Sequence, residues 1–569
     1  MKITISKSKN STIYYLSKSV RINGKSTTKT IEKLGTHEEL QARAGDMDPL
    51  EWAKQYAAQR TLEDKKGKTD VIIKYSSSKL IDKDVNRSVN AGYLFLQDIY
   101  YSLGLDKICA EISDKTKATY DLNSILAHLC YTRILSPSSK RASLEFSKQF
   151  IELPTYELQH VYRGLEDLAN ENDLFQAKLF QNSKHAIERN TGILYYDCTN
   201  YYFEIEEEDD FRKYGLSKEH RPNPIVQMGL LMDADGMPLS FCLFNGNENE
   251  QPSLTPLEQK VIDEYGLKKF VVCTDAGLSS TANRKFNNVA NRKFVTTQSI
   301  KKLKGFLQDF CLDPEGWHLP NSTKAYNINE LNEELDTNKT FYKSRWINEN
   351  GLEQQLVVTF SLKHKNYQRL IRDKQIERAK KIVDNPTKAN KVHTNDYKRL
   401  IENEHCTKDG EIASKQVVSL DQAKIDNEER YDGFYAVCTN LEDDAIDIVT
   451  VNQRRWEIEE CFRIMKSEFK ARPVYLSRQD RITAHFMTCF TALLMYRILE
   501  KKLDNKYTCE EIISTLKGMN MFVAPGEGYV PTYTRTDITD ALHKAFNFRT
   551  DYQITSQRNM KKIITSTKK

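Results

Sequence analysis

Three acids in this 569-residue sequence occupy positions where a carboxylate needs a reason to be. Asp197 ends the apolar run ILYY, Asp275 ends FVVC, and Glu459 lies within RRWEIEECFRIMKSEFKARP, which begins at Arg454. An ionised acid at the end of a buried strand is costly unless something pairs with it. Taken singly, each aspartate has an ordinary explanation as a turn residue, because Asp197 precedes Cys198-Thr199-Asn200 and Asp275 precedes Ala276-Gly277. Taken together, at the ends of neighbouring strands of one sheet, they would converge within metal-bridging distance. With Glu459 added, three carboxylates suffice to hold two divalent ions, and hard oxygen ligands select Mg²⁺ or Mn²⁺ over zinc. Such ions supply hydroxide near neutral pH and steady the departing oxygen of an in-line displacement at phosphorus, so no nucleophilic side chain is required.

Periodicity singles out Glu459 among its neighbours. At roughly 100° per residue with Arg455 set to zero, Asn452, Glu459, Arg463 and Lys466 fall within about 0–80°. Ile458, Cys461, Phe462, Met465 and Phe469 form an apolar stripe at about 240–340°, wide enough to seat a helix on a core. Glu457, Glu460 and Glu468 face elsewhere, at about 140–220°. One acid therefore stands in a basic row beside the buried face. An exposed ladder of i, i+4 ion pairs accounts for that row, and so does a metal-assisted phosphate site in which Arg455, Arg463 and Lys466 ground the flanking phosphates.

The elements that must position these residues follow from changes of period. The segment STIYYLSKSVRINGKSTTKTIEKLG reads as strands about an Asn23-Gly24 turn, whose outward Lys, Arg, Ser and Thr suit either solvent or phosphate. From about Gly92 to Arg189 the pattern is helical, with Pro137 stopping one helix and Ser138 or Ser139 capping the next. Strands follow from Gly192, from Pro224 with a turn at Asp235-Gly236, and from Leu267, each apolar enough to be buried on both faces. A long region of mixed short strands and charged helix ends in the strand DGFYAVCTN. An apolar helix from Arg481 to about Lys501 follows the segment that bears Glu459.

Composition sets the class. The net charge of +5 allows nucleic acid without demanding it, but twelve Lys or Arg against four Asp or Glu between Lys363 and Arg399 form a local basic stretch, either solvated or DNA-gripping. The eleven cysteines include no C-x-x-C pair, and the eleven histidines lack ligand spacing. Buried free thiols in a reducing, cytoplasmic setting are expected, with neither zinc site nor disulfide framework. The longest apolar run, FMTCFTALLMY, is too short to span a bilayer, so no membrane partner is expected.

At this point the sequence resembles the DDE transposases of bacterial insertion sequences, in the branch marked by a Y-R-E-K signature helix. YYDCTNYYFE is similar to that family's first-aspartate strand, and GLSKEHRPNPIVQMGLLMDADGMPLSFCLFNGNENE to the S-K-x-x-R-P segment and hairpin after it. VVCTDAGLSS is similar to the second-aspartate strand, and NQRRWEIEECFRIMKSEF fits Y-x(2)-R-x(3)-E-x(6)-K through Arg455, Glu459 and Lys466. The tyrosine position is Asn452, which removes, replaces or relocates a contact to the DNA backbone.

The resemblance, from about Gly92 to Phe548, implies an α/β protein with an RNase H-like catalytic core interrupted by a mainly β insertion, preceded by an N-terminal β-hairpin and a helical DNA-binding region. The corresponding boundaries are 1–90 for the strand-rich N-terminus, 91–190 for the helical region, 191–284 and 442–505 for the core, 285–441 for the insertion, and 506–569 for a C-terminal dimerisation region. It implies Asp197, Asp275 and Glu459 as catalytic metal ligands for two Mg²⁺ or Mn²⁺ ions, and Asn452, Arg455, Arg463 and Lys466 as DNA contacts. The implied partners are double-stranded DNA, as terminal inverted repeats and target, and a second copy of the chain, at the bacterial nucleoid. Two other readings share these residues: a metal-dependent nuclease that hydrolyses without joining, and a non-catalytic DNA-binding protein in which the acids are structural.

Overall fold

The computed structural model describes all residues except 9–10, 23–24, 67–70, 72, 74, 385–396 and 407–411. The chain forms two compact units, Met1–Val85 with Ala524–Tyr529, and Asn86–Val523 with Val530–Lys569.

In the first unit, β1 (Lys2–Ser8), β2 (Ser11–Ile22) and β3 (Lys25–Thr36) make an antiparallel sheet in that order. Alternation sends Tyr14 and Leu16 of β2 inward, where with Leu34 they meet Leu40, Ala53 and Ala57 of the helices His37–Ala44 and Pro49–Lys66. The β2–β3 ladder runs out to Ile22 opposite Lys25, and the expected turn at Asn23-Gly24 lies outside the described residues.

The second unit opens with β4 (Ser88–Asn90) and a series of helices. The helix Leu122–Leu135 ends just before Pro137, and Ser139 caps Lys140–Ser147 by accepting from the Ala142 N–H at 3.3 Å. The strands are β5 (Ile193–Tyr202), β6 (Ile225–Asp233), β7 (Pro238–Asn245), β8 (Phe270–Thr274), β9 (Arg292–Thr297), β10 (Phe341–Glu349), β11 (Leu352–Phe360), β12 (Ile401–Cys406), β13 (Ile412–Leu420) and β14 (Phe434–Thr439). Eight of them form one mixed sheet in the order β10-β11-β14-β9-β8-β5-β6-β7, while β12 and β13 pair separately. β8 runs parallel to both β5 and β9, and every other pairing in the large sheet is antiparallel.

The stretch expected as a β-rich insertion thus adds β14, β11 and β10 to the sheet that carries the aspartates, and β9 within it pairs parallel with β8. Leu356, Val357 and Val358 of β11 and Ala436, Val437 and Cys438 of β14 are all buried, so consecutive residues pointing to opposite faces find cover on both. The described part of the basic stretch is mainly the helix Leu362–Val383, and residues 385–396 of it lie outside the description. That helix is held by Leu362, Ala379 and Ile382 and by a buried Arg372–Asp432 ion pair. The ten described cysteines are free, and all but Cys242 are buried.

The expected Asp235-Gly236 turn joins β6 to β7; Gly236 has φ +73°, and Asp233, buried against Arg189 at 2.6 Å, accepts from the N–H groups of Asp235 and Met237. The helix Gln479–Lys502 packs on Leu122–Leu135 and Leu158–Asn170. Among the described residues it alone has the length and apolar composition to cross a membrane, and 89% of that apolar window is buried inside the protein.

The segment with Glu459 is not one continuous helix. Ala445–Gln453 stops, the chain turns at Arg454-Arg455, Trp456–Arg463 begins anew, and Ile464–Glu468 widens into a π-helical turn. A single 100° wheel therefore loses phase twice. Asn452 belongs to the earlier helix and is buried, and Trp456 is 60% exposed. Glu457, expected to face away, is instead buried with its carboxylate 3.3 Å from Arg497 Nη2 and 3.7 Å from Arg454 Nη2. Removing it leaves a buried guanidinium short of a partner. Glu457→Ala is expected to lower unfolding free energy by about 1–3 kcal/mol in denaturant titration, whereas Glu460→Gln, which loses only a surface pair with Arg463, changes it by less than about 0.5 kcal/mol.

Candidate active site

The central feature is a strand register. β5 and β8 run parallel with Tyr195 opposite Cys273. Two residues further on come Asp197, still within β5, and Asp275, one residue past the end of β8, both half-buried. The two lie close enough for the charge of Asp275 to act on Asp197. Burial pushes the Asp197 carboxyl up to about 6; the negative charge of Asp275 adds to this, while Lys218, the Cys198 N–H and Arg455 oppose it. Asp275 closes a turn, accepting from the Leu278 N–H at 3.0 Å, and its carbonyl accepts from Thr296 Oγ1 at 3.2 Å. The turn role foreseen for Asp275 is real, and it fixes the carboxylate beside its neighbour.

Three cations converge on this pair from different parts of the chain. Lys218 Nζ donates to the Cys198 carbonyl at 2.6 Å and lies 3.0 Å from Glu250. Burial alone would lower its pKa, but Glu250 and Asp197 outweigh that and raise it. Lys466 Nζ donates to Thr199 Oγ1 at 2.6 Å and sits 3.3 Å from Glu219; burial, with Lys218 adding and Asp197 opposing, brings it down to about 8. Arg455 Nη1 donates to Thr297 Oγ1 at 3.2 Å, and its Nε is buried with no hydrogen-bond partner among the described residues.

The expected site residues separate into groups. Asp197, Asp275, Arg455 and Lys466 are gathered. Glu459 lies one turn after Arg455 on Trp456–Arg463, is exposed, and has no hydrogen bond or ion pair among the described residues. No three His, Cys, Asp or Glu side chains among the described residues come close enough together to hold a metal ion, so Glu459 does not close a cluster with the two aspartates. The aspartate pair nevertheless suits a hard cation: two nearby carboxylates, one with its acidity weakened by burial and by the other's charge in spite of the cations around it, are oxygen ligands of the kind a divalent ion takes. Arg463 points elsewhere, tied to Glu460 and Glu468.

Asn452 is 3% exposed, and its amide is engaged within the protein. Nδ2 donates to the Tyr435 hydroxyl at 2.5 Å, and Oδ1 accepts from Cys273 Sγ and Thr297 Oγ1, each at 3.5 Å. Tyr435 Oη is 2.8 Å from Thr297 Oγ1, which in turn meets Arg455. Tyr435 lines a cleft of about 480 Å³ with Ala276, Thr297, Lys301 and Arg399, next to Asp275. Lys218, Thr199, Thr297 and Tyr435 were not singled out from the sequence. Lys218, Thr199 and Tyr435 lie within quoted stretches and Thr297 in a strand, but nothing in the spacing distinguishes the three strand residues from packing residues.

Residues 202–495 match the family model for the transposase DDE domain. The chain belongs to the transposase DDE family. The matched stretch holds Asp275, Arg455, Glu459 and Lys466, and begins just after Asp197. Among solved structures, one titled as the cryo-EM structure of piggyBac transposase synaptic complex with hairpin DNA is similar at 9% identity and TM-score 0.35, over 84% of this chain and 86% of that one. No curated protein matches.

In this DDE-family chain the Asp197 carboxyl has a folded pKa above its unfolded value of roughly 3.9. Its contribution to stability is then full below about pH 4 and lost as pH rises through about 6. In metal-free buffer Asp197→Asn is expected to raise stability near pH 8 by about 1–2 kcal/mol, with allowance for partial solvent exposure, and to change little near pH 4. Thermal melts at the two pH values check this; equal shifts at both would show that burial and charge do not act on Asp197 as described.

Proposed function

We propose that the chain is a transposase with an RNase H-like core that binds the terminal inverted repeats of its element, cleaves there, and joins the 3′ hydroxyl to target DNA in the bacterial cytoplasm. The observation that carries this reading is the closeness of Asp197, on β5, to Asp275, just past the end of the parallel strand β8, with Lys218, Arg455 and Lys466 nearby. The order of the first five strands, β7-β6-β5-β8-β9 with only β8 and β9 parallel to β5, supports the RNase H-like core.

Asp197 and Asp275 would hold divalent metal, Mg²⁺ or Mn²⁺; Glu459, which stands apart from them in this structure, would have to move towards the pair to serve as the third ligand. When bound, such ions acidify water and stabilise the oxygens entering and leaving phosphorus. The chain's own groups do the rest. Lys466, anchored by Thr199, and Arg455, anchored by Thr297, present cationic donors at fixed positions to the phosphates beside the scissile one. Tyr435 supplies the phenol that the signature position lacks: Asn452, too short and too buried to reach DNA, aligns the Tyr435 hydroxyl instead. A homodimer pairing two element ends completes the reading.

Strand transfer with labelled ends of the encoding element tests this. The wild-type chain joins ends to target; Asp197→Asn, Asp275→Asn and Glu459→Gln each lose cleavage and joining by at least about a hundredfold, as removal of charge stabilisation at a reacting phosphate does, and retain end binding. Cleavage without joining would assign the chain to the nucleases. Full activity in Glu459→Gln would remove that acid from the ligand set.

Tyr435→Phe is expected to leave Mn²⁺ binding to the free protein unchanged and to reduce joining several-fold. Unchanged joining would return the phenol's role to another residue.

A further inference from the structure

We propose that the pocket between the helices Leu122–Leu135 and Lys140–Ser147 and the segment 470–476 is a phosphate-binding site. It has a volume of about 440 Å³, and its ionisable lining consists of Arg133, Lys140, Arg141, Lys470, Arg472 and His485 together with the phenols of Tyr162 and Tyr475. No carboxylate lines it. Arg472 is paired outside the pocket with Glu219, while Arg133, Lys140, Arg141 and Lys470 have no ion pair among the described residues.

Two of these cations are in the interior. Lys140 is 5% exposed and Arg133 3%. Lys140 Nζ has only the His485 Nδ1 at 3.2 Å, and His485 Nε2 lies 3.1 Å from the Ala471 carbonyl. The ring therefore gives Nε2–H to Ala471 and accepts from the ammonium through Nδ1, which makes it a neutral partner. Arg133 spends Nη1 on the carbonyls of Phe469 and Lys470 and Nη2 on that of Ser138, but its Nε is buried with no hydrogen-bond partner among the described residues. Burial and the nearby Arg133 bring the Lys140 ammonium down to about 7. A buried guanidinium and a buried amine that is driven to give up its proton, with no anion beside either, are both short of a negative partner. An anion entering the pocket supplies that partner.

The shape of the donors selects phosphate. The N-terminus of Lys140–Ser147 lines the pocket through Ser139, Lys140 and Arg141; Ser139 already accepts the Ala142 N–H, and a helix N-terminus favours the phosphate oxygens that the buried cations also call for. Arg141 and Lys470 stand exposed at the rim. Tyr475, 69% exposed, offers a ring for a base attached to the phosphate. Segment 470–476 follows directly on the turn that carries Lys466, so an occupied pocket is mechanically joined to the candidate active site through Arg133 and the Phe469 carbonyl. The site does not depend on the proposed chemistry, since phosphate binding requires no cleavage.

The phosphate can come from a DNA backbone or from a free phosphate such as a nucleotide. Line broadening of the ³¹P signal of inorganic phosphate by the full chain is expected to saturate, and to weaken at least tenfold in Lys140→Met and less in the exposed Arg141→Gln. In phosphate-free buffer Lys140→Met is expected to melt no lower than wild type, because an unpaired ammonium has been removed. Phosphate then raises the melting point of wild type by mass action and not that of the variant. Anisotropy of a labelled duplex across a salt series separates the sources: a salt slope reduced by about one in Lys140→Met, with competition by phosphate, assigns the DNA backbone, and an unchanged slope assigns free phosphate. Absence of phosphate binding in wild type, or undiminished binding in Lys140→Met, overturns the proposal.

Discussion

The burial of the Asp197 carboxylate, with Asp275 nearby, is the constraint on which the candidate site depends. A half-buried carboxylate close to a second one is a poor arrangement for stability, and it is held in place by β5 and β8, which have neighbouring strands on both sides in a continuous sheet. The apolar residues flanking each acid, Tyr195 and Tyr196 on one strand and Val272 and Cys273 on the other, are buried. That burial drives the Asp197 carboxyl upward and also prevents the pair from relaxing apart. Strain of this kind is expected where a structure is prepared for a ligand of opposite charge.

Much of the sheet was legible in the sequence because buried strands are read as unbroken apolar runs. The strands bearing Asp197 and Asp275, the Asp235-Gly236 turn and the Pro137 break with its serine cap all lie where residue types place them. Less legible was how far the sheet extends. Runs such as LEQQLVVTF and FYAVCT are readable as strands, but no local pattern says whether they form a body of their own or pair with β9. That is decided by non-local pairing, which leaves no periodic trace.

Around Glu459 the wheel failed in an instructive way. A uniform 3.6-residue repeat cannot register a chain turn at Arg454-Arg455 or a π-helical turn at Ile464–Glu468. The row Asn452, Glu459, Arg463, Lys466 therefore dissolves: Asn452 is in the core, Arg463 pairs on the surface, and Arg455 and Lys466 reach the aspartates through Thr297 and Thr199. The hydroxyls of these threonines act as anchors that fix two long side chains which would otherwise lose rotamer entropy on every encounter with a ligand.

The cations around the site are not idle. Lys218 is paired with Glu250, and Lys466 shares Glu219 with Arg472. In the proposed function, a phosphate beside Asp197 would compete with these internal carboxylates for both ammonium groups. The exchange is close to balanced in energy, since one anion replaces another beside the same cation. What differs is geometry: a phosphate offers oxygens to Lys218 and Lys466 together, whereas Glu250 and Glu219 each serve their own lysine. Glu219 also holds Arg472, which lines the basic pocket beyond the π turn. Glu219 thus links a lysine of the candidate active site to an arginine of that pocket.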